Sequence, residues 1–247
     1  MTPGTEPAGT GEPQPTAGTS ITSPEPPYWK PAEVDDALAT MAGGGLILVK
    51  GDIGYGLFGT SEDAIRKMYR IKGRPYSNPC IFIGSLDVLD AIAEIPHPAI
   101  RPWIEQLASW TTCAVVLPAR AGSPELAAMD PWVRSQAITN GTLAVFLRTG
   151  PYINEMVRRA LADGTVFVGS SANKSSHGNT FHFADLHRDF LEEADLVVDH
   201  GDAALANDER KATTMLNFTD WSVKRRGVNA DRIVEQFEIL KTTCQAD

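Results

Sequence analysis

Short apolar runs alternate with amphipathic stretches from Tyr28 to the end of the chain. Aliphatic runs bounded by polar or glycine-rich segments are typical of buried strands, and apolar residues that recur with the helical period are typical of helices. The runs predict strands at 46–49, 80–83, 113–117, 142–147, 165–169, 196–198 and 213–218. The amphipathic stretches predict helices at 31–41, 61–71, 86–94, 99–109, 152–162, 183–193 and 229–240. Strands interleaved with helices indicate a single α/β domain with a mixed, twisted sheet.

The first 27 residues differ in composition from the rest of the chain. They hold 7 of its 17 prolines and neither lysine nor arginine. A segment so poor in large apolar residues cannot offset its ordering entropy, which predicts a disordered tail at 1–27 and a folded domain over 28–247. The tail lacks the apolar stretch of a signal peptide and the arginines of a mitochondrial transit peptide.

Composition and charge narrow the class of protein. No run approaches the roughly 18 apolar residues that a membrane helix requires. Three widely spaced cysteines fit a reducing compartment, and we expect a cytoplasmic protein. The 22 basic and 31 acidic residues give a net charge of -9. This charge repels a polyanion at long range, so any contact with nucleic acid must be local.

The segment 69–79 is the first candidate for chemistry. It follows the predicted helix 61–71, for which Ser61 is the expected N-cap. Lys72 and Arg74 lie on either side of Gly73 where this helix ends, and both side chains could reach one anion. A polyphosphate suits an arginine fork combined with a lysine point charge. The alternative is that both cations only cap the last helical turn in solvent.

A second candidate is the segment 166–179, in which an apolar strand leads into small polar residues, Ser171 and Asn173 among them. Hydroxyls, amides and backbone N–H groups at a strand end are typical of a ligand-binding loop. The alternative is an ordinary turn, because serine, asparagine and glycine are also the usual turn residues.

Together the two segments resemble the family of YrdC-like proteins, whose catalytic members are threonylcarbamoyl-AMP synthases. KGRPYSNP at 72–79 and SSANKSS at 170–176 are similar to the family's KGRPSDNP and PSANLSG. GDIGYGL at 51–57 is similar to TDTVYGL, TTMLN at 213–217 to STVVD, and RRG at 225–227 to the closing R-P-G. The resemblance covers roughly residues 30–235 with all motifs in order.

The resemblance implies a concave α/β sheet around a basic cavity that forms a carbamoyl adenylate. In this family bicarbonate and an amine, usually L-threonine, give a carbamate that attacks the α-phosphate of ATP and releases pyrophosphate. Lys72 and Arg74 would be the catalytic residues, and Mg²⁺ would accompany ATP without a protein cage. The implied ATP-binding residues are Lys72, Arg74, Asn78, Ser171, Asn173, Asn179 and Arg225. No metal site is predicted, since His177, His182 and His187 share no helical face.

Departures from the family pattern concentrate on the amine side of the expected cavity. Gly51 and Ile53 replace two threonines of TDTVYGL, and Ile83 replaces a histidine. Phe146 replaces an arginine, although Arg148 would share its strand face. The implied amine-substrate pocket consists of Gly51, Asp52, Tyr55, Ile83, Phe146, Arg148 and Thr213.

The loss of polar partners predicts rejection of threonine and acceptance of a bulkier or less polar amine. The alternative is that other residues have taken over threonine recognition, the candidates being Thr111, Thr112, Thr139 and Arg148.

Three functions follow from these observations. The favoured one is a carbamoyl-type adenylate synthase for an amine other than threonine. A separate acyl-acceptor enzyme downstream could then use the adenylate. The second is a threonylcarbamoyl-AMP synthase for tRNA modification. The third is a non-catalytic nucleotide or RNA binder, and contact with tRNA is not favoured because the chain is acidic.

Overall fold

The computed structural model describes Met1, residues 28–175 and residues 177–246. Apart from Met1, the predicted tail at 1–27 lies outside the described residues. The helices are α1 Pro31–Ala42, α2 Glu62–Lys72, α3 Leu86–Ile92, α4 Ile100–Trp110, α5 Pro124–Ala128, α6 Pro131–Ala137, α7 Pro151–Ala162, α8 Arg188–Glu193 and α9 Ala230–Ala246. The strands are β1 Ile47–Gly51, β2 Gly54–Gly59, β3 Ile81–Ile83, β4 Cys113–Pro118, β5 Ile138–Thr139, β6 Thr142–Leu147, β7 Val168–Ser171, β8 Leu196–Val198, β9 Thr214–Asn217 and β10 Ser222–Arg225.

The strands of the described residues form one mixed sheet in the order β10-β9-β4-β6-β3-β7-β2-β1-β8, with β5 paired to β6. Three pairs are parallel, β1 with β8, β3 with β6 and β4 with β9, and the other pairs are antiparallel. Helices pack on the sheet and bury one large apolar cluster. The predicted single α/β domain with a mixed sheet is confirmed.

Helix α2 brings the first candidate segment to the sheet. It begins after Ser61, whose Oγ accepts a hydrogen bond from the backbone N–H of Ala64 at 3.1 Å, so the predicted N-cap is confirmed. It ends at Gly73, which has the left-handed φ of +59° that glycine adopts without strain. Lys72 is therefore the last helical residue, and Arg74 lies in the loop beyond.

The predicted helix at 183–193 is wrong, because this segment is divided. A single 3₁₀ turn spans Phe183–Asp185, and α8 begins only at Arg188. The imidazole Nδ1 of His187 accepts from the N–H of Asp189 at 3.2 Å and so caps a new helix start. The N-terminus of α8 is thereby placed beside the end of α2.

A second, smaller apolar cluster lies apart from the main core. It joins Ile53, Phe181 and Ala203 and packs against Phe146 and Leu205. It anchors the segments that follow β7 and β8 on the turn between β1 and β2. Across residues 28–175 and 177–246, no helix combines the length and apolar character needed to cross a membrane.

Candidate active site

A cavity of about 150 Å³ opens on one face of the sheet, between β1 and β10. The register between β2 and β7 determines which of their residues face this cavity. Gly56 of β2 is paired with Ser171 of β7, and Gly169 with Phe58, so these four residues point to the same side. A Cβ on Gly169 would lie 2.2 Å from the carbonyl oxygen of Leu57, so glycine is needed where the two strands approach.

The cavity lining is basic. It includes Arg74 and Arg225 but no aspartate or glutamate. The hydroxyl and amide groups on it come from Thr149, Ser170, Ser171, Asn179 and Thr213, and Tyr55 also lines it. Two guanidinium groups without a carboxylate in the same wall favour an anionic ligand.

Arg74 is fixed by the loop that follows α2. Its Nη2 donates to the carbonyl oxygen of Pro79 at 2.8 Å, and its Nε donates to that of Asn78 at 3.3 Å. These bonds leave further guanidinium donors for a ligand, since arginine carries five N–H groups. The Asn78 side chain itself is exposed and is not part of the cavity wall, so its predicted contact with ATP stays a prediction.

Lys72 lies behind the cavity wall rather than on it. Only 2% of the residue is exposed. Its Nζ donates to the carbonyl oxygens of Ser171 and Asn173, the latter at 2.7 Å. Burial, reinforced by the nearby charge of Arg74, lowers the pKa of Lys72 to about 7. The two predicted motifs are thus in direct contact, through the Lys72 ammonium and the backbone of the second motif.

Residues 171–175, which we call the serine loop, carry the second motif. The Ser171 hydroxyl donates to Oδ1 of Asn173, and Nδ2 of Asn173 donates to the carbonyl oxygen of Lys174 at 2.9 Å. Ser171 lines the cavity, whereas Asn173 does not. Asn173 therefore shapes the loop in this structure, and its predicted contact with nucleotide stays a prediction.

Asn179 and Arg225 line the cavity, and their predicted contacts with ATP stay predictions. Asn179 is buried, and its Nδ2 donates to the carbonyl oxygen of Ile53 at 2.7 Å. Arg225 is bound twice by Thr213, through the carbonyl oxygen and the hydroxyl. Burial of the guanidinium lowers the pKa of Arg225, although the residue as a whole is exposed. The nearby charge of Arg74 lowers this pKa further. The mutual repulsion of these cations favours the binding of an anion between them.

The rest of the lining is apolar. Its side chains come from Ile53, Phe58, Ile81, Ile83, Phe146, Ile153 and Met215. Ile83 and Phe146 are directly paired across β3 and β6, so the two replaced family positions lie side by side. An apolar surface is therefore present on the same cavity as the arginines, and its contact with an amine stays a prediction.

Gly51 does not leave the open space that the loss of a threonine suggests. A Cβ at this position would lie 2.9 Å from the carbonyl oxygen of Thr149 and 3.1 Å from Cδ1 of Ile153. A distance below about 3 Å to backbone requires the structure to shift. The segment after β6 and the start of α7 thus occupy that volume.

Two other predicted amine-side residues, Tyr55 and Asp52, have different surroundings. Tyr55 lines the cavity, but its hydroxyl donates to Oδ1 of Asp199 at 2.6 Å. Asp52 is half-buried and outside the lining, and burial raises the pKa of its carboxyl against the opposing charges of Lys50 and Arg148.

The expectation that Arg148 shares the strand face of Phe146 is wrong. Arg148 follows the end of β6 with a φ of +55°, is exposed, and is absent from the cavity lining. Its position beyond the last strand residue removes the alternation on which the expectation rested.

The other candidates for threonine recognition also lie outside the cavity. Thr112 donates to the carbonyl oxygen of Leu147 at 3.2 Å, and Thr111 accepts from Asn229 at 2.9 Å. Thr139 is exposed. Thr149 is the threonine that sequence reasoning missed: it is fully buried, lines the cavity and donates to Oδ1 of Asn154 at 3.1 Å. Its position directly before Gly150-Pro151 at the start of α7 was the available signal.

Comparison with known proteins supports a family assignment. The sequence profile of the Sua5/YciO/YrdC family, described as telomere recombination, matches residues 39–227. No curated protein matches the chain.

Solved structures show the same fold. P. abyssi Sua5 complexed with L-threonine is 22% identical with a TM-score of 0.64, over 83% of this chain and 57% of that chain. E. coli YciO is 18% identical with a TM-score of 0.61, over 80% of this chain and 90% of that one. Full-length HypF in a phosphate- and nucleotide-bound form is 18% identical with a TM-score of 0.54, over 75% of this chain and 27% of that one. At identities this low the structural likeness establishes the fold alone, and the chain spans little more than half the length of the Sua5 it matches.

Proposed function

Because the chain belongs to the Sua5/YciO/YrdC family, we propose that it is an adenylate-forming nucleotidyltransferase that uses ATP and the carbamate of an amine. The observation that carries this proposal is the acid-free cavity, in which Arg74 and Arg225 share a wall with Ser171, Asn179 and Thr213. Such a wall suits a triphosphate, because fixed guanidinium groups and hydrogen-bond donors stabilise charge on phosphate oxygens.

The proposed reaction has two steps. Bicarbonate and the amine nitrogen form a carbamate and release water. A carbamate oxygen then attacks the α-phosphorus of ATP, the bond from that phosphorus to the bridging oxygen breaks, and pyrophosphate leaves with the electron pair. The product is a mixed anhydride between the carbamate and AMP. Charge therefore grows on the pyrophosphate oxygens, where the cations have their largest effect.

The residues of the cavity divide this work. Arg74 retains N–H donors that can bind the leaving pyrophosphate. Arg225 is oriented by Thr213 to bind a second phosphate. Lys72 adds positive charge from behind the serine loop.

Magnesium is proposed only as a companion of ATP. No group of three or more His, Cys, Asp or Glu side chains that could hold a metal occurs within the described residues. The cavity lining offers Mg²⁺ no carboxylate either. Phosphate oxygens and water are its usual ligands when ATP is the substrate, and it would neutralise part of the phosphate charge there.

The apolar part of the lining supports an amine other than threonine. Ile83 and Phe146 replace polar family positions, and the hydroxyls of Thr111 and Thr112 are engaged outside the cavity. A substrate hydroxyl and carboxylate placed among these side chains would lose hydrogen bonds to water without gaining new ones. A bulky or weakly polar amine loses less, which favours it over threonine. A separate acyl-acceptor enzyme would then consume the adenylate.

The second candidate is threonylcarbamoyl-AMP synthesis for tRNA modification. A Sua5 of the same fold has been solved with L-threonine. The specific observation in its favour is Thr149, a cavity-lining residue whose hydroxyl donates to Asn154 and so retains lone pairs that could accept from a polar substrate.

The test is a mass-spectrometric assay for the adenylate, coupled to pyrophosphate release, with ATP, Mg²⁺ and bicarbonate. L-Threonine is compared with a panel of other amino acids and amines. Product with another amine, and little with threonine, supports the proposal. A threonylcarbamoyl adenylate favours the second candidate. ATP binding without pyrophosphate release in every mixture indicates a non-catalytic nucleotide binder and contradicts both.

A further inference from the structure

A second lysine, Lys174, connects the serine loop to the end of α2. Its Nζ donates to the carbonyl oxygen of Ile71 at 2.6 Å and forms an ion pair with Asp189 of α8. The carbonyls of the last helical turn have no partner within a helix, so a cation satisfies them well. Lys174 thus joins three elements at one point: α2, α8 and the loop that carries Ser171.

The contacts between helix and loop are reciprocal. The Lys72 ammonium at the end of α2 donates to the serine-loop carbonyls, and the Lys174 ammonium of that loop donates back to α2. The N–H of Ser175 also donates to the carbonyl oxygen of Lys72 at 3.2 Å. The bonds of Lys174 and Ser175 therefore end on the carbonyls of Ile71 and of Lys72 itself, and a shift of the loop would move the carbonyls that surround the Lys72 ammonium.

Asp189 sets the direction of the Lys174 side chain. Its carboxylate pairs with the ammonium, and this hydrogen bond lowers the pKa of Asp189. The ammonium also lies 5.5 Å from the ring centroid of Phe190. Asp189 is 46% exposed, and exposed ion pairs contribute little to the free energy of unfolding. The effect of the pair is therefore on the position of the loop.

We propose that Lys174 and Asp189 are a positioning pair, which holds the serine loop against the end of α2 and thereby sets the place of the Lys72 ammonium beside the cavity. This inference rests on the proposed function only for its consequence, which is tighter binding of ATP. Neither residue lines the cavity, so neither is expected to touch the nucleotide.

The nucleotide-independent test is an NMR titration of Lys72 in protein labelled at lysine side chains, with Lys72→Met to assign its signal. Arg74 and Cys80 are the titratable groups that act on Lys72, and both are unchanged in the variants. In Lys174→Met the Lys72 midpoint is expected to rise toward the ordinary lysine value, because a displaced loop lets water reach the ammonium. Lys174→Arg is expected to restore the wild-type midpoint in part. An unchanged midpoint in Lys174→Met overturns the proposal, whether or not the protein uses ATP.

The consequence for binding is measured by calorimetry with ATP. Lys174→Met is expected to weaken ATP binding about tenfold, and Asp189→Asn is expected to weaken it less. The double variant of Lys174→Met and Lys72→Met is expected to bind ATP no more weakly than Lys72→Met alone. Glu193→Gln is the matched control, because it removes the Arg70–Glu193 ion pair between α2 and α8 without contact to the serine loop. Additive losses in the double variant, or an equal loss in Glu193→Gln, contradict a role through Lys72. Absence of ATP binding in the wild type contradicts the proposed function and leaves the NMR result to decide on the pair.

Discussion

The guanidinium of Arg225 donates two hydrogen bonds of 2.8 Å to Thr213, from Nε to the carbonyl oxygen and from Nη2 to the hydroxyl. Both residues lie on the cavity wall. Thr213 directly precedes β9, and Arg225 is the last residue of β10. A guanidinium fixed in this way loses little rotational freedom when it binds a phosphate. We therefore expect Thr213 to contribute to the proposed ATP binding through Arg225.

Thr213→Val should weaken ATP binding roughly five- to tenfold, because it removes one charge-assisted hydrogen bond while preserving shape. Calorimetric titration with ATP measures the effect. Thr112→Val is the matched control: Thr112 is equally buried, bonds to the backbone of Leu147, and does not line the cavity. Equal ATP affinity in Thr213→Val and wild type would contradict the role of Thr213.

Arg74→Ala should lower adenylate formation by about two orders of magnitude or more, since a lost donor to the leaving group costs that much in comparable sites. The melting temperature should change little, because the Arg74 guanidinium donates to carbonyl oxygens of its own loop and not to the apolar core. Pyrophosphate release and thermal unfolding are the two measurements.

The control for Arg74→Ala is Arg70→Ala. Arg70 lies one helical turn earlier, is largely exposed and pairs with Glu193 away from the cavity. Turnover in Arg74→Ala equal to that of Arg70→Ala would remove Arg74 from the phosphate site.

Ile83→His should raise the turnover of threonine relative to other amines, because it returns a hydrogen-bonding group to the apolar part of the cavity. The assay is adenylate formation with paired amines in one mixture. Because Ile83 is buried, the thermal unfolding of the variant must also be measured to verify that it is folded. A folded variant without any gain in threonine use would contradict the assignment of this surface to the amine.

Gly51→Ala should destabilise the protein by about 1–3 kcal/mol without changing which amine is used, because the new Cβ meets the carbonyl oxygen of Thr149. Denaturant unfolding measures the loss. Gly141→Ala serves as a control for the added methyl group: a Cβ there meets nothing, although its φ of +74° adds strain. A Gly51→Ala variant at least as stable as wild type would show that the backbone yields at little cost.

Sequence patterns predicted the positions of the long elements well, because their signals are local. Helix α2, its cap at Ser61 and its end at Gly73 follow from residues within a few positions of each other. Strand β2, at Gly54–Gly59, was not predicted, because three of its residues are glycines and local preference disfavours glycine in strands. Its formation depends on partners far along the chain: Phe58 lies against Gly56 and Gly169 where a Cβ would collide.

The candidate site was predicted in part for the same reason. The two motifs do meet, but the Lys72 ammonium contacts backbone carbonyls of the second motif. The residue types in the sequence do not show where those carbonyls lie. The family pattern likewise could not show that the Thr149 carbonyl fills the space beside Gly51. Residue identity specified which groups are available, and the chain path decided which of them line the cavity.

Lys72 gives a pH dependence whose sign can be stated. Its pKa in the folded protein is about 7, below the ordinary lysine value near 10.4, because of burial and then the charge of Arg74. Between these two values the unfolded chain binds the additional proton, so this residue makes the free energy of unfolding rise with pH in that window. Bound triphosphate favours the charged ammonium, so ATP affinity should fall over the same range.

ATP binding at pH 8 should therefore take up a fraction of a proton, since the terminal phosphate is already ionised there and Lys72 is largely neutral. Calorimetry in two buffers of different ionisation enthalpy measures this uptake. Lys72→Met should abolish the uptake, whereas Lys67→Met, which removes a surface lysine of α2 paired with Asp195, should leave it unchanged. Uptake that persists in Lys72→Met would assign the titrating group elsewhere, because a methionine at this position cannot bind a proton.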